Sequence, residues 1–170
     1  MKKKISLHEH VFPIEKIIKK LKKEENPMNT EIETQNILGG VHHVTAITSS
    51  AQKNYDFFTN ILGLRLAKLT VNQDDYETYH LYFTGEDGKS PNMTFFDFKD
   101  IPKGMHGANN IERASFRVPS DASLTYWTER FEKAHVKHGE NNVKFGKKTL
   151  EFEDFDGQKY QLISDQDNTG

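Results

Sequence analysis

Residues 41–63 read VHHVTAITSSAQKNYDFFTNILG, and the period of the apolar residues changes halfway along this stretch. Positions 41–48 alternate and are rich in β-branched residues, which predicts a β-strand. The Ser49-Ser50 pair can cap a helix over about 51–61, and Gly63 is placed to end it in a left-handed conformation. The stretch therefore predicts a strand that is followed directly by a short helix.

The helix is expected to bury Tyr55, Phe58 and Leu62, which are spaced i, i+3 and i+7. Further strands are predicted at 65–71, 78–83 and 92–98, with a loop of turn-forming residues at 84–91. These elements make one β-α-β-β-β unit.

The same order of elements recurs about 70 residues later, which is the signature of an internal repeat. The second copy comprises strands at 113–118, 143–145, 149–155 and 160–163, a helix with an apolar stripe of Leu124, Trp127 and Phe131, and a tight hairpin turn at Asp156-Gly157. The fold class predicted is α+β, with two tandem βαβββ modules. The domain is expected to span 38–166, with module one at 39–100 and module two at 109–166.

Residues 1–37 differ from the rest of the chain because they are rich in lysine. Ile14, Ile17, Ile18 and Leu21 follow Pro13 at helical spacing, so a short amphipathic helix is predicted there. A solvated, flexible extension is the simpler interpretation, while a basic helix can also contact a membrane surface or a partner. Met28 raises the further hypothesis that residues 1–27 are an upstream addition.

Composition excludes several classes of function. The net charge of −2 gives no reason to expect a nucleic-acid partner. The chain has no cysteine, which rules out disulfides, zinc–thiolate sites and cysteine nucleophiles. No apolar run approaches the roughly 20 residues of a membrane span. A cytoplasmic protein is expected.

The His42-His43 pair is the most informative candidate for chemistry. In a strand, successive side chains point to opposite faces, so His43, Thr45 and Ile47 are expected on one face and His42 on the other. An imidazole on a strand suits Fe(II), Mn or Zn, and a threonine two residues later can orient a ligand by hydrogen bonding. From the residues alone, a structural, hydrogen-bonded histidine stays an open alternative.

The segment GVHHVTAITSSAQKNYDFFTNILGLRLAKLTVNQDDYETYHLYF, at 40–83, resembles the opening of the vicinal-oxygen-chelate enzymes. Within them it is most similar to the ring-cleaving dioxygenases that act on hydroquinones. The resemblance implies four βαβββ modules in the whole enzyme and a ferrous ion held by two histidines and one glutamate. It implies that His43 is one ligand and that the other two come from the last module. Hydroquinone- or catechol-like rings and O2 would be the substrates, in quinone detoxification.

The hypothesis of an enzyme also gives roles around the metal to other residues. His42 and Thr45 would orient ligand or substrate, and His80 and Tyr82 would line the cavity, although a core histidine is the alternative for His80. In paired modules the first and last strands carry the ligands, and here the positions that correspond to His43 are filled by Arg113, Asn92 and Gln161. An arginine cannot ligate a metal. We therefore expect the chain to be half of an enzyme that needs a C-terminal half or a second chain, such as another copy in a homo-oligomer.

Two other functions share this fold. A metal-free module could bind or sequester a small molecule, as bleomycin-resistance proteins do, and a cavity lined by Phe, Tyr and His would suit a planar aromatic ligand. Such a module would not depend on His43. A glyoxalase-type isomerase would require a carboxylate on the same strands, where the sequence offers none in a suitable place.

Overall fold

The computed structural model describes residues 40–86, 88, 92–98, 100–105 and 107–166. The chain divides into two units, Met1–Gly40 and Val41–Gly170, and the description below concerns the second unit. The lysine-rich extension predicted at 1–37, and its helix, lie outside the described residues.

The first module contains four strands and one helical segment. Its elements are β1 (His43–Ile47), α1 (Ala51–Asp56), a π-helical segment (Phe57–Ile61), β2 (Arg65–Val71), β3 (Tyr79–Thr84) and β4 (Asn92–Asp97). The strand order is β1-β4-β3-β2. The β1 and β4 strands are parallel, whereas the other neighbouring strands are antiparallel.

The second module repeats this plan. Its elements are β5 (Arg113–Val118), α2 (Asp121–Lys133), β6 (Asn142–Lys144), β7 (Lys147–Glu153) and β8 (Lys159–Ser164). The strand order is β5-β8-β7-β6, again with the first and last strands parallel. The predicted α+β fold with two tandem βαβββ modules is confirmed.

Both helices begin at a serine, and the sequence predicted the first of these caps. The Ser50 side chain accepts a hydrogen bond from the Lys53 backbone N–H, and the Ser120 side chain accepts one from Ser123. These bonds satisfy backbone donors that the first turn of a helix leaves unpaired. Gly63 has φ +72°, the left-handed conformation expected where the first helical segment ends.

The prediction that Tyr55 is buried was wrong, since its side chain is 39% exposed. The buried face instead includes Asn54, Phe57, Phe58 and Leu62. In a regular α-helix Leu62 would be rotated about 80° away from Asn54. The wider π-helical turn, in which the Leu62 N–H donates to the Phe57 carbonyl, brings Leu62 back to that face.

One hydrophobic core runs through both modules. In the first sheet it includes the side chains of β3 and β4 that alternate towards the helical segment, namely Leu81, Phe83, Met93 and Phe95. In the second sheet it includes Leu150, Phe152, Tyr160 and Leu162, which lie on the side of α2. Burial of these large side chains is the main source of stability for the domain.

The π-helical segment joins the two modules. The Phe57 ring stacks on Phe152, with centroids 6.4 Å apart, and the Phe58 ring contacts Tyr160 at 5.8 Å. Arg130 of α2 reaches the end of the same segment, where its Nε donates to the Ile61 carbonyl at 2.6 Å. Carbonyl groups at the end of a helix lack partners within it, so this arginine acts as a cap from the other module.

The link between β7 and β8 is the loop 154–158, which contains the tight hairpin turn predicted at Asp156-Gly157. The Gly157 N–H donates to the Asp154 carbonyl at 3.0 Å, and Gly157 has φ +78°. Buried Asp154 organises this loop, because its Oδ1 accepts from the backbone N–H groups of Asp156 and Gln158. Its Oδ2 accepts from the Tyr160 hydroxyl at 3.0 Å. The loop also contacts module one, where Asp156 accepts from the Thr48 hydroxyl at 2.8 Å.

Replacing Asp154 tests whether this carboxylate holds the loop. Asp154→Ala leaves two backbone donors and a phenol unpaired, and we expect a loss of about 3 kcal/mol in the free energy of unfolding. Asp154→Asn keeps an oxygen for the two N–H donors, so we expect it to stay within about 1 kcal/mol of wild type at neutral pH. Urea denaturation measures both, and equal losses in the two variants would contradict this role.

The difference in stability between wild type and Asp154→Asn should depend on pH. Burial raises the pKa of Asp154 above its ordinary value of 3.8, despite the hydrogen bonds to its charged form. Between the ordinary and the raised pKa, the folded state therefore binds more protons than the unfolded state. Wild type should lose stability relative to Asp154→Asn as the pH rises through that window, and a constant difference would contradict the raised pKa.

Asn54 is a second test of the core. It is 0% exposed, and neither of its side-chain polar atoms has a hydrogen-bond partner among the described residues. Its counterpart in the repeat is Leu124, which is also buried. Because a buried amide without partners costs free energy, Asn54→Leu should raise the free energy of unfolding by about 1–2 kcal/mol. A loss of stability on denaturation would show that the amide has a role in this core.

No helix of the described part is long and apolar enough to cross a membrane.

Candidate functional site

The face of the first sheet that points away from the helical segment carries the site candidates. We call it the open face, and it comprises His43, Thr45, His80, Tyr82, Thr94 and Phe96. Its composition follows from strand alternation, since the intervening residues of β1, β3 and β4 pack into the core. His43 and Thr45 are exposed, whereas His80, Tyr82 and Phe96 are partly buried.

A chain of hydrogen bonds crosses the open face. The Thr45 and Thr94 hydroxyl oxygens lie 2.8 Å apart, and Thr94 Oγ1 lies 3.2 Å from His80 Nε2. The other ring nitrogen of His80, Nδ1, lies 2.9 Å from the Tyr82 hydroxyl. The sheet register accounts for these contacts, because Thr45 and Tyr82 are each paired with Thr94. This series of hydrogen bonds therefore connects the exposed edge beside His43 with the middle of the sheet.

His80 is held between two aromatic rings. Its centroid lies 3.9 Å from that of Phe96 and 4.1 Å from that of Tyr82. Burial lowers the pKa of His80, and the nearby His43 and Lys68 lower it further. The low pKa favours a neutral imidazole, which has one donor and one acceptor nitrogen for its two hydrogen bonds.

His42 lies where the sequence did not predict it. The strand begins at His43, so the alternation of faces does not govern His42, and its ring is beside the His43 ring. The Nδ1 atoms of the two rings are 2.8 Å apart, and the rings meet edge to face. If Nδ1 of His43 bonds to His42, Nε2 of His43 is the nitrogen left for a ligand.

Two residues of this region were missed by sequence reasoning. Thr94 is 0% exposed and lies at the centre of the hydrogen-bond chain. The alternation of Met93, Thr94 and Phe95 places Thr94 opposite the core residues, but its partners depend on a strand register that the sequence does not give. Lys68 was also missed, and its Nζ lies 5.5 Å from the centre of the Tyr82 ring.

The equivalent face of the second sheet has different chemistry. Arg113, at the position that corresponds to His43, forms an ion pair with Glu151, which also accepts from Lys144. The hydrogen bond from Lys144, together with the charges of both cations, lowers the pKa of Glu151. Gln161 donates to the Ser115 hydroxyl at 2.8 Å. Charged groups in ion pairs replace the imidazole and phenol of the first sheet.

The described residues do not by themselves make a metal site. No group of three or more His, Asp or Glu side chains within them is arranged to hold a metal ion. On the open face His43 has an exposed imidazole, while the two nitrogens of His80 are already hydrogen-bonded. A single imidazole does not retain Fe(II), Mn or Zn against water, since such sites use three or more protein ligands.

Two cavities of the domain lie outside the open face. One, of about 310 Å³, is formed where the π-helical segment meets the end of α2, and its lining includes Asn60, Tyr126 and Arg130. The other, of about 270 Å³, includes Arg113 and Glu151 of the second sheet. Neither lining includes a residue of the open face.

The pKa of His80 gives a test of this geometry. Because the Lys68 ammonium is one cause of the lowered pKa, Lys68→Met should raise the pKa of His80 towards its ordinary value without restoring it fully. A titration of the His80 ring protons by NMR measures this. Lys53→Met is the matched control, since Lys53 lies over Phe155 instead, and an identical shift in both variants would contradict a local effect of Lys68.

Comparison with known proteins identifies relatives among ring-cleaving dioxygenases. The chain is 40% identical over 135 residues to a Bacillus subtilis protein provisionally named ring-cleaving dioxygenase MhqA, with 78% of this chain and 42% of the relative covered. It is 36% identical to the chlorohydroquinone/hydroquinone 1,2-dioxygenase of Sphingobium indicum, with 77% and 41% covered. The chain thus spans about two fifths of the length of these relatives.

Solved structures agree with this assignment. A crystal structure of a Bacillus subtilis protein, provisionally named a dioxygenase, matches with a TM-score of 0.69 and 39% identity over 75% of this chain and 41% of that one. A glyoxalase/bleomycin resistance/dioxygenase domain from Frankia has the same fold, with a TM-score of 0.65 at 18% identity, over 75% of this chain and 98% of its own length. The superfamily and the dioxygenase relatives imply a metal ion.

The sequence model of one family matches residues 40–162, which include β1 to β7 in full and most of β8. Together with the relatives and the duplicated fold, this match shows that the chain belongs to the glyoxalase/bleomycin resistance protein/dioxygenase superfamily.

Proposed function

We propose that this chain is the N-terminal half of a non-haem Fe(II) ring-cleaving dioxygenase of the extradiol type. Its substrates would be O2 and hydroquinone- or catechol-like rings, and its role the detoxification of quinones in the cytoplasm. The observation that carries the proposal is the exposed His43 imidazole on the open face, in a chain that covers about two fifths of relatives named as ring-cleaving dioxygenases.

In this proposal His43 is one of the metal ligands, and the others come from residues outside the described part of the chain. A bound ferrous ion would supply a centre that binds the ring hydroxyl and O2 side by side. The hydrogen bond between the Nδ1 atoms of His42 and His43 supports a role of His42 in orienting the ligand, because a His43 that ligates through Nε2 donates its Nδ1–H to His42. Mn or Zn is the alternative metal, because imidazole suits all three.

The remaining residues of the open face suit a planar ring. Thr45 is exposed beside His43 and offers a hydroxyl to a ring oxygen. His80, Tyr82 and Phe96 form a partly buried aromatic surface next to it. An apolar surface with a few fixed polar groups is typical of sites that bind small aromatic molecules.

A second candidate function is a metal-free module that binds or sequesters a small aromatic molecule. It is favoured by the observation that the described residues contain no set of three metal ligands. The aromatic surface of His80, Tyr82 and Phe96, by contrast, lies wholly within them. A glyoxalase-type isomerase receives less support, since β1 and β4 present no described carboxylate on this face.

Iron retention separates the two functions. The full chain is reconstituted with Fe(II) under anaerobic conditions, and free iron is removed. We expect iron in the assembled fraction, which contains more than one chain per particle, because a second chain can complete the site there. His43→Ala should lower the iron content of that fraction at least tenfold, because it removes a ligand. Metal analysis combined with light scattering measures iron per chain and the assembly state together.

The matched control is His135→Asn. His135 is exposed just after α2 and has φ +54°, a conformation that asparagine tolerates, so this change removes an imidazole far from the open face. It should leave the iron content unchanged. Iron that survives His43→Ala would contradict the proposed ligand, and iron in no fraction of the wild type would favour the metal-free binding module.

A further inference from the structure

We propose that Tyr82, His80, Thr94 and Thr45 form a one-way chain of hydrogen bonds in which Tyr82 is the first donor and Thr45 the last. The chain makes the Thr45 hydroxyl a donor towards the open face. The site therefore selects aromatic ligands that present an acceptor oxygen, such as a carbonyl or phenolate oxygen. The inference rests on the proposed function only in that a small aromatic molecule occupies this face.

The geometry supplies a continuous path. Three contacts of 2.9, 3.2 and 2.8 Å connect the Tyr82 hydroxyl, the two nitrogens of His80 and the hydroxyls of Thr94 and Thr45. Thr94 is 0% exposed, so water does not replace either of its partners. Each hydroxyl has a single proton, and donation at one position thus fixes donation at the next.

The direction of these hydrogen bonds follows from the first pair, the Tyr82 hydroxyl and His80 Nδ1. A phenol is a much stronger acid than the N–H of a neutral imidazole, so in this pair the Tyr82 hydroxyl donates to His80 Nδ1. The proton of the imidazole then lies on Nε2, because the bond made by one ring nitrogen sets the tautomer of the other. His80 Nε2–H donates to Thr94, Thr94 donates to Thr45, and the Thr45 proton is left for a ligand.

The surroundings keep His80 neutral, as this direction requires. The groups that face it are Phe96, Tyr82 and Thr94, with His43 and Lys68 as the nearby basic groups that act on it. Burial and both basic groups disfavour an imidazolium. Hydrogen bonds in series polarise one another, so donation by Thr45 is stronger than that of an isolated threonine.

The tautomer of His80 is the first test, and it is measured on the metal-free chain. In ¹⁵N-labelled protein, long-range ¹H–¹⁵N NMR spectra distinguish the two neutral tautomers and the imidazolium. We expect the Nε2–H tautomer in the wild type and a loss of this single tautomer in Tyr82→Phe. The matched control, Tyr79→Phe, changes a tyrosine on the opposite face and should leave His80 as in the wild type. An Nδ1–H tautomer or an imidazolium in the wild type at neutral pH would overturn the proposal.

Ligand preference is the second test. Acetophenone presents an acceptor oxygen, whereas aniline, a neutral ring of similar size, presents mainly donors. The wild-type chain should bind acetophenone about fivefold more tightly, which is the effect of one hydrogen bond. Tyr82→Phe, and Thr94→Val in the middle of the chain, should reduce this preference, while Tyr79→Phe should keep it.

Equal affinity for the two probes, tighter binding of aniline, or no binding of either by the wild type would overturn the proposal. These outcomes are independent of iron, because no metal is added. A wrong direction of the hydrogen bonds is thus distinguishable from a wrong enzymatic function. The enzymatic function is tested by iron retention and by its dependence on His43.

Discussion

The packing of Phe58 is the contact on which the rest of the domain depends. Its ring is 0% exposed and lies 4.9 Å from Phe83 and 4.7 Å from Phe95 in its own sheet. It also lies 5.8 Å from Tyr160 in the second sheet. The π-helical segment permits this arrangement, since it allows neighbouring Phe57 to contact the second sheet as well. Neither module could bury these rings alone, which explains why the repeat folds as one core.

Covering one side of the first sheet in this way leaves the other side for chemistry. The two modules have used that side differently. On the first sheet, an imidazole, a phenol and two hydroxyls are linked without any ion pair. On the second sheet, Arg113 and Lys144 are both paired with Glu151. On the second sheet these charged groups are partners of one another, whereas the first sheet presents exposed His43 and Thr45 to a ligand. The duplication has therefore kept the scaffold and placed the candidate site in one copy.

Much of this fold was predictable because its signals are local. The alternation in β1 and β5, the serine caps and the glycine that ends the first helical segment are all read from neighbouring residues. The burial of Tyr55 was predicted wrongly because a π-helical turn changes the phase of the helix. In that turn Phe57 contacts the second module, and a contact between modules is a long-range feature that the residues of the helix do not reveal. The position of His42 was missed for a similar reason, because it depends on where the strand begins.

The candidate site was predictable only in part. The alternation of β3 placed His80 and Tyr82 on one face, and the alternation of β1 placed Thr45 beside His43. Thr94 joins these residues through the register of β4 with two neighbouring strands, and a register is a long-range property. The roles of His42, His43, Thr45, His80 and Tyr82 in catalysis remain proposals, because the described residues supply only part of the ligand set.

The central claim is that the open face is one part of a catalytic site that is completed from outside the described residues. Oxygen uptake with hydroquinone, measured separately on the monomeric and assembled fractions of the Fe(II)-loaded full chain, tests it most directly. The account predicts uptake by the assembled fraction and, for the monomer, no more than the rate of free Fe(II). Turnover by the monomer, or none in any assembly that retains iron, would contradict it.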